Sequence, residues 1–394
     1  MRAAERYGVG RGELLAVDLP PGPAWVDLVA ELWREGIAFL PLDQRLTDRE
    51  RRALVDRARP AAVLDGTGET TLFGDAGRVG DGVALVVATS GTEGEPKLAE
   101  LSRDAVEAAV EASAAVLGAT PSDPWLACLT PAHIGGLLVY LRGAVLGAPV
   151  VALERFDPGA VVEAGRHAFV SLVPSMVRRL VDADVDPAAL RCALVGGDAF
   201  EPRLAGAAAA RGLRCVATYG LTESCGGVVY DGRPLPGTQL RIGEGARIEI
   251  HGPTLMEGYL HDPQGTASAF SVDGWLRTTD AGELDGDGTL TVLGRLDDAV
   301  LTGGELVWPT EVEAVLRTHP KVADVLVVGR PHPGWGHQVT ALIVPVDPSG
   351  APTLEELHDH ARSGLADFKL PRAVEVVGSL PRTRSGKPRR SEFS

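Results

Sequence analysis

The sequence predicts an α/β fold with a large N-terminal α/β region, a β-rich subdomain and a small α+β unit at the C-terminus. Helical and strand periodicities alternate from Ala24 to about Thr218. From Gln239 the pattern changes to short alternating strands joined by glycine-rich turns such as Asp285-Gly286-Asp287-Gly288. After Arg295-Leu296-Asp297-Asp298 a helix and two longer strands follow. The expected boundaries are therefore 1–296 for the N-terminal region, with its β-rich part at about 239–296, and 297–394 for the C-terminal domain. No internal repeat or low-complexity linker separates them, so any relative motion must pivot on few residues.

Taken in order, Ala24–Glu35 and Asp48–Arg57 place apolar residues at helical spacing, and Ala61–Leu64 and Val83–Ala88 read as short buried strands. A helix is expected at Arg103–Leu117, an apolar helix after Ile134, a strand at Val150–Leu153, a helix at Pro158–Gly165 and a strand at Phe169–Val173. Pro174 opens the helix Ser175–Asp182. Strands at Cys192–Val195 and Arg214–Thr218 run into Gly196-Gly197-Asp198 and Tyr219-Gly220, at the kind of strand end where α/β sheets bind nucleotides. Further strands are expected at Leu240–Ile242, Arg247–Ile250, Val322–Val328 and Val339–Val344, with a helix at Thr310–Arg317.

Composition narrows the class. With 394 residues, 45% hydrophobic and 23% charged, the chain reads as an ordinary globular protein of two or three domains. The four cysteines (Cys128, Cys192, Cys215, Cys225) form no C-x-x-C pair and no metal spacing with histidine, which favours a reduced, cytoplasmic setting. Met1–Leu15 lacks the apolar core of a secretory signal. Arg142 and Pro149 interrupt the apolar stretch Gly135–Leu153, so it reads as a buried helix and strand and no membrane span is expected. A net charge of −15 argues against a nucleic-acid surface. Against that background Lys369, Arg372, Arg382, Arg384, Lys387, Arg389 and Arg390 gather near the C-terminus, as a patch for an anionic substrate or as a solvated tail.

The strand around Val86 breaks into Thr89-Ser90-Gly91-Thr92-Glu93-Gly94-Glu95-Pro96-Lys97. Glycines let main-chain N–H groups approach an anion, the hydroxyls add donors and Lys97 adds charge, so the loop suits a polyphosphate. It is not a Walker loop, because Leu98 follows the lysine where a magnesium-binding hydroxyl is required. Further on, Tyr219-Gly220-Leu221-Thr222-Glu223 combines a ring able to stack on a base, a hydroxyl for a phosphate oxygen and a carboxylate for Mg²⁺. Trp275-Leu276-Arg277-Thr278-Thr279-Asp280 offers a carboxylate to ribose hydroxyls, and Gly294-Arg295-Leu296-Asp297-Asp298, Gly303-Gly304-Glu305 and Ser385-Gly386-Lys387 follow. Each alone is also an ordinary turn.

In this order the motifs resemble the core motifs of the adenylate-forming superfamily, over about three quarters of the chain from Thr89 to Lys387. The resemblance implies a mobile C-terminal domain and a two-step reaction. A carboxylate attacks the α-phosphate of ATP to give an acyl-AMP, from which coenzyme A usually displaces AMP. By position, Thr89, Ser90, Gly91, Thr92 and Lys97 would hold the β/γ-phosphates, and Glu223, beside Thr222, would bind Mg²⁺. Gly196, Gly197, Asp198, Tyr219 and Gly220 would frame adenine, and Asp280 and Arg295 would hold the ribose. Lys387 would bridge the attacking carboxylate and the α-phosphate, Asp297 would be the hinge, and Gly303-Gly304 would lie on the coenzyme A channel. Two positions depart from the pattern: Glu93 stands where a third hydroxyl is usual, and Thr279 replaces the glycine before Asp280. Only about ninety residues precede the loop, as if one N-terminal subdomain were trimmed.

The stretch from Ser224 through Cys225-Gly226-Gly227 to Leu235 resembles a segment of the o-succinylbenzoate–CoA ligases of menaquinone biosynthesis, especially their compact actinobacterial form. Ser224, Gly226 and Gly227 would then adjoin a flat aromatic acid, the glycines leaving space for it. His133, in Pro131-Ala132-His133-Ile134-Gly135-Gly136, matches a substrate-side histidine, and Arg142 or Arg233 would neutralise the second carboxylate of a diacid. The expected function is an acid–CoA ligase with o-succinylbenzoate as its acid. Another aryl- or acyl-CoA ligase, an adenylation enzyme loading a carrier protein and a non-catalytic nucleotide-binding module remain open, as do monomer and homodimer.

Overall fold

The computed structural model describes Ala3–Thr89, Pro96–Leu380 and Arg390, and the chain forms two compact units. The first comprises Met1–Leu240 and Ile250–Leu276, the second Arg241–Glu249 and Arg277–Ser394.

The first unit holds two seven-stranded sheets. One has the order Gly258–Tyr259, Lys97–Ser102, Val83–Thr89, Ala38–Pro41, Leu14–Val17, Ala62–Leu64, Thr70–Leu72. Its inner strands are parallel and its edges antiparallel. The other has the order Arg233–Pro234, Gly226–Tyr230, Cys215–Leu221, Cys192–Val195, Phe169–Leu172, Trp125–Ala127, Val150–Ala152. It is parallel from Cys215–Leu221 onward. Leu14–Val17, Phe169–Leu172 and Cys192–Val195 are buried at every position, because parallel strands are covered on both faces. The helix Arg103–Leu117 packs on strands of both sheets, and Ile134–Leu146, apolar nearly all round, packs on it and on Ala24–Glu35. Ser102 caps the first of these by accepting from the N–H of Ala105, an interaction worth about 1 kcal/mol.

A four-stranded sheet, Gln239–Ile242, Arg247–His251, Leu276–Leu284 and Leu290–Arg295, includes the unit boundaries at Leu240, Ile250 and Leu276. The second unit thus starts taking in the chain before Asp297, the boundary expected from sequence. Its larger sheet is Glu305–Val307, Val300–Thr302, Gly336–Pro345 and Val322–His332, with Ala373–Val376 added in parallel. Helices Pro309–Leu316 and Leu354–Ala361 bury Val312, Leu316 and Leu357 with Val325, Val327 and Ile343.

Several elements depart from the sequence reading. The strand expected to end at Thr218 continues through Tyr219-Gly220 to Leu221 and pairs antiparallel with Gly226–Tyr230, the ladder slipping register between Tyr219 and Gly220. The helices Pro202–Ala210 and Leu354–Ala361 and the strands Leu14–Val17 and Lys97–Ser102 are additional.

Candidate active site

In the first unit the two ends of the candidate phosphate loop are joined by strand pairing. Thr89 ends one strand, Lys97 begins the next, and the two residues are paired across the antiparallel ladder. Ser90, Gly91, Thr92 and Glu93, expected between them, lie outside the described residues, as does Lys387. The Nζ of Lys97 stands 4.8 Å from the centre of the Tyr259 ring. The Tyr259 hydroxyl donates to Glu223 Oε1 at 2.9 Å, and the N–H of Met256 donates to the Glu223 carbonyl at 2.9 Å. Burial first, then the Glu223 carboxylate, push the Tyr259 phenol far above its ordinary range, so it remains a donor.

Thr222–Ser224 form a single 3₁₀ turn where the strand Cys215–Leu221 ends. Ser224 is fully buried; its hydroxyl accepts from the N–H of Leu221 at 3.0 Å and lies within bonding distance of the carbonyls of Leu221 and Gly226. These bonds hold the Ser224 hydroxyl in the turn that carries Glu223. Cys225 follows in the left-handed region at φ 54°, and burial pushes its thiol up to about 12, which makes it inert as a nucleophile.

Gly226 and Gly227 begin the strand that pairs antiparallel with Cys215–Leu221. A Cβ on Gly226 would meet Leu138 Cδ1 at 2.6 Å, and one on Gly227 would meet the Tyr230 ring at 3.0 Å and Thr218 Cβ at 3.2 Å. Side chains at these two positions would therefore crowd protein neighbours. Gly220 lies still closer: an added Cβ would stand 1.9 Å from the Gly226 carbonyl oxygen. Gly196, Gly197 and Asp198 follow the neighbouring strand Cys192–Val195, with Thr218 Oγ1 donating to the Val195 carbonyl at 3.2 Å. The two candidate adenine segments thus share the C-terminal edge of one parallel sheet.

His133 precedes the helix Ile134–Leu146, whose Ile134 and Leu138 approach Gly226. Its Nε2 lies 2.6 Å from Arg45 Nη2, and Arg45 in turn donates to both oxygens of Asp43. A guanidinium only donates, so His133 Nε2 accepts and the ring's proton is on Nδ1. Burial alone would raise the Asp43 carboxyl, but the Arg45 bonds outweigh it and hold the group below its ordinary value. Asp43 and Arg45 were not singled out from sequence, since Asp-Gln-Arg-Leu there is an ordinary turn pattern; only its meeting with His133 marks it.

Arg142 lies one helical turn beyond Leu138 and is 3% exposed. Its guanidinium sits 4.2 Å from the centre of the Trp125 ring and Nη2 donates to Ser113 Oγ at 3.2 Å, while Nε and Nη1 have no hydrogen-bond partner. Ser113 Oγ and Tyr230 OH are 2.8 Å apart. Burial holds the Arg142 pKa below its ordinary value, and no ion pair reaches it among the described residues. Arg233 is exposed on the edge strand beyond Tyr230.

In the second unit Asp280 and Arg295 face each other across paired strands, Arg295 Nε 3.6 Å from Asp280 Oδ1. Asp297 is exposed in the 3₁₀ turn Leu296–Asp298. Gly303 and Gly304 form the tip of the hairpin Val300–Val307 with φ of 59° and 90°, the left-handed pair that a tight hairpin turn requires.

Comparison with known proteins identifies the family of the chain. Residues 75–260 match the AMP-binding enzyme family and 311–387 match the AMP-binding enzyme C-terminal domain. A "Probable 2-succinylbenzoate–CoA ligase" of Mycobacterium tuberculosis is 42% identical over 83% of this chain and 89% of its own. A 2-succinylbenzoate–CoA ligase of Bacillus pumilus is 31% identical over 96% and 87%. The structure of o-succinylbenzoate CoA synthetase (MenE) from Bacillus subtilis with its acyl-adenylate OSB-AMP superposes with a TM-score of 0.85 at 27% identity, covering 100% of this chain and 91% of that one. The same enzyme with ATP and magnesium gives a TM-score of 0.84 at 28% identity, over 100% and 92%. Strands, turns and relatives agree that the chain belongs to the adenylate-forming AMP-binding enzymes and is similar to their 2-succinylbenzoate–CoA ligases.

Proposed function

We propose that this chain is an AMP-forming acid–CoA ligase that converts o-succinylbenzoate, ATP and coenzyme A into o-succinylbenzoyl-CoA, AMP and pyrophosphate in menaquinone biosynthesis. The observation that carries the reading is the meeting of Lys97 and Glu223 around Tyr259 in a chain 42% identical to a probable enzyme of that name. The acid's carboxylate attacks the α-phosphorus, pyrophosphate leaves, and the coenzyme A thiol then attacks the acyl carbon and expels AMP.

Glu223 supplies one carboxylate for Mg²⁺. Among the described residues no group of three or more His, Cys, Asp and Glu is arranged to hold an ion by protein alone, which fits a cation bound jointly by one carboxylate and substrate phosphates. When bound, magnesium neutralises phosphate charge. Thr89, Ser90, Gly91, Thr92 and Lys97 cradle the β/γ-phosphates, with Thr222 adding a hydroxyl beside Glu223. Gly196, Gly197, Asp198, Tyr219 and Gly220 frame the base, and Asp280 and Arg295 the ribose. Lys387 stabilises charge developing between carboxylate and α-phosphate. Asp297 is the hinge between half-reactions, and Gly303-Gly304 border the pantetheine path.

His133, held as the Nδ1–H tautomer by Arg45, lies on the acid side together with the main chain of Gly226 and Gly227. Arg142, a buried cation lacking an ion pair among the described residues, favours an anion nearby; its burial points to action through its field, complementing the second carboxylate. The four free thiols fit a reducing cytoplasm, and no helix among the described residues is long and apolar enough to cross a membrane.

Pyrophosphate release measured over a panel of acids tests the assignment. o-Succinylbenzoate is expected to give the highest kcat/KM; faster turnover of benzoate or a fatty acid would overturn it.

A further inference from the structure

We propose that Tyr259 is a positioning residue that couples Lys97 to Glu223, so that the phosphate-binding cation and the magnesium-binding carboxylate are set against each other by one phenol. The inference rests on the function proposed above for Lys97 and Glu223 and adds a residue that no motif singled out.

Tyr259 is held by its main chain before its side chain acts. Gly258 and Tyr259 form an edge strand paired with Glu100 and Ala99, on the same strand that begins at Lys97. On either side, the N–H groups of Glu257 and Leu260 donate to the carbonyls of Glu100 and Leu98 at 2.9 and 2.8 Å. The N–H of Tyr259 donates to Thr266 Oγ1 at 2.8 Å, and Thr266 is fixed by its bond to the Asp262 carbonyl. The same segment reaches the Glu223 turn through the 2.9 Å bond from Met256 N–H to the Glu223 carbonyl. Main chain and side chain of Glu223 are therefore gripped from one short segment.

The phenol then makes two different contacts. Its hydroxyl occupies Oε1 of Glu223, which fixes the carboxylate plane, while its ring face lies under the Lys97 ammonium. Tyr259 is only partly buried, so packing alone does not account for an aromatic residue whose hydroxyl meets a carboxylate and whose face meets a lysine. The two contacts are separable: phenylalanine keeps the ring and loses the hydroxyl, and leucine loses both.

ATP binding measured by calorimetry with and without Mg²⁺, on the full chain, tests the proposal. Tyr259→Phe is expected to weaken binding of ATP with Mg²⁺ about tenfold, equivalent to about 1.4 kcal/mol, and to leave metal-free ATP binding within about twofold. Tyr259→Leu is expected to weaken both. In a double-mutant cycle with Glu223→Gln, the Tyr259→Phe effect on magnesium-dependent binding should largely disappear. A Tyr259→Phe protein with unchanged magnesium dependence, or with equal losses in both conditions, would overturn the coupling, as would additivity in the cycle. Absence of magnesium-dependent ATP binding in the unaltered protein would instead overturn the proposed function, and the role of Tyr259 with it.

Discussion

Gly220→Ala tests whether the close approach of two strands builds the nucleotide edge. The Cβ of an alanine would stand 1.9 Å from the Gly226 carbonyl oxygen, 2.6 Å from its carbon and 2.7 Å from Gly227 Cα. A carbon normally sits about 3.3–3.6 Å from a carbonyl oxygen, so the strands must part by about 1.5 Å. The obstructing atoms are backbone and cannot rotate away. Separation breaks the ladder at Gly220–Gly227 and Leu221–Gly226, costing about 1 kcal/mol for each hydrogen bond lost, with about 1–3 kcal/mol more for overpacking. The expected loss is about 3–5 kcal/mol in urea denaturation, and ATP binding should fall with it because the displaced strand leads into Glu223. Gly206→Ala is the matched control. Gly206 is exposed within the helix Pro202–Ala210, a Cβ there meets nothing within 4 Å, and stability should rise by about 0.5–1 kcal/mol. Gly220→Ala with wild-type stability and ATP affinity would refute the reasoning.

Three further outcomes follow from buried or paired charges. Glu313 is buried, accepts from the N–H of Val327 at 2.8 Å and pairs with Arg317 and Arg390, so Glu313→Ala should cost about 3–5 kcal/mol in denaturation and Glu313→Gln less; a loss under about 1 kcal/mol would contradict it. Asp43 titrates below its ordinary value near 3.8 when folded, so the stability it contributes is complete above that value and is lost as pH falls through the lower, folded value; in acid thermal melts Asp43→Asn should lack this part of the decline. Arg142→Met should leave stability unchanged or higher and reduce preference for o-succinylbenzoate over benzoate about tenfold, about 1.4 kcal/mol, and retained selectivity would remove Arg142 from substrate recognition.

The helices Ala24–Glu35 and Arg103–Leu117 were legible to the residue, because helical spacing of apolar residues and a following glycine mark each, and Ser102 caps the second. Leu14–Val17 was not, since four buried residues carry no alternation to separate strand from helix. Lys97–Ser102 was hidden by Lys97 and Glu100, whose charges break the apolar pattern of a buried strand. Motif order singled out Glu223 in the first unit and, in the second, Asp280 and Arg295, which the structure sets opposite each other across paired strands. Tyr259 and Arg45 escaped because each gains its meaning from a residue far away in the chain. Gly226 and Gly227 were noticed in the sequence, but the left-handed φ of 89° at Gly226 and the closeness of Leu138, Tyr230 and Thr218 are visible only in the fold.

The most direct test separates the half-reactions. With o-succinylbenzoate, ATP and Mg²⁺ but no coenzyme A, mass detection should find o-succinylbenzoyl-AMP and equimolar pyrophosphate, and added coenzyme A should convert the adenylate to thioester and AMP. Lys387→Ala should lose the first step by about a hundredfold or more and retain thioester formation from supplied adenylate. No adenylate from o-succinylbenzoate, or equal loss of both steps in Lys387→Ala, would contradict the account.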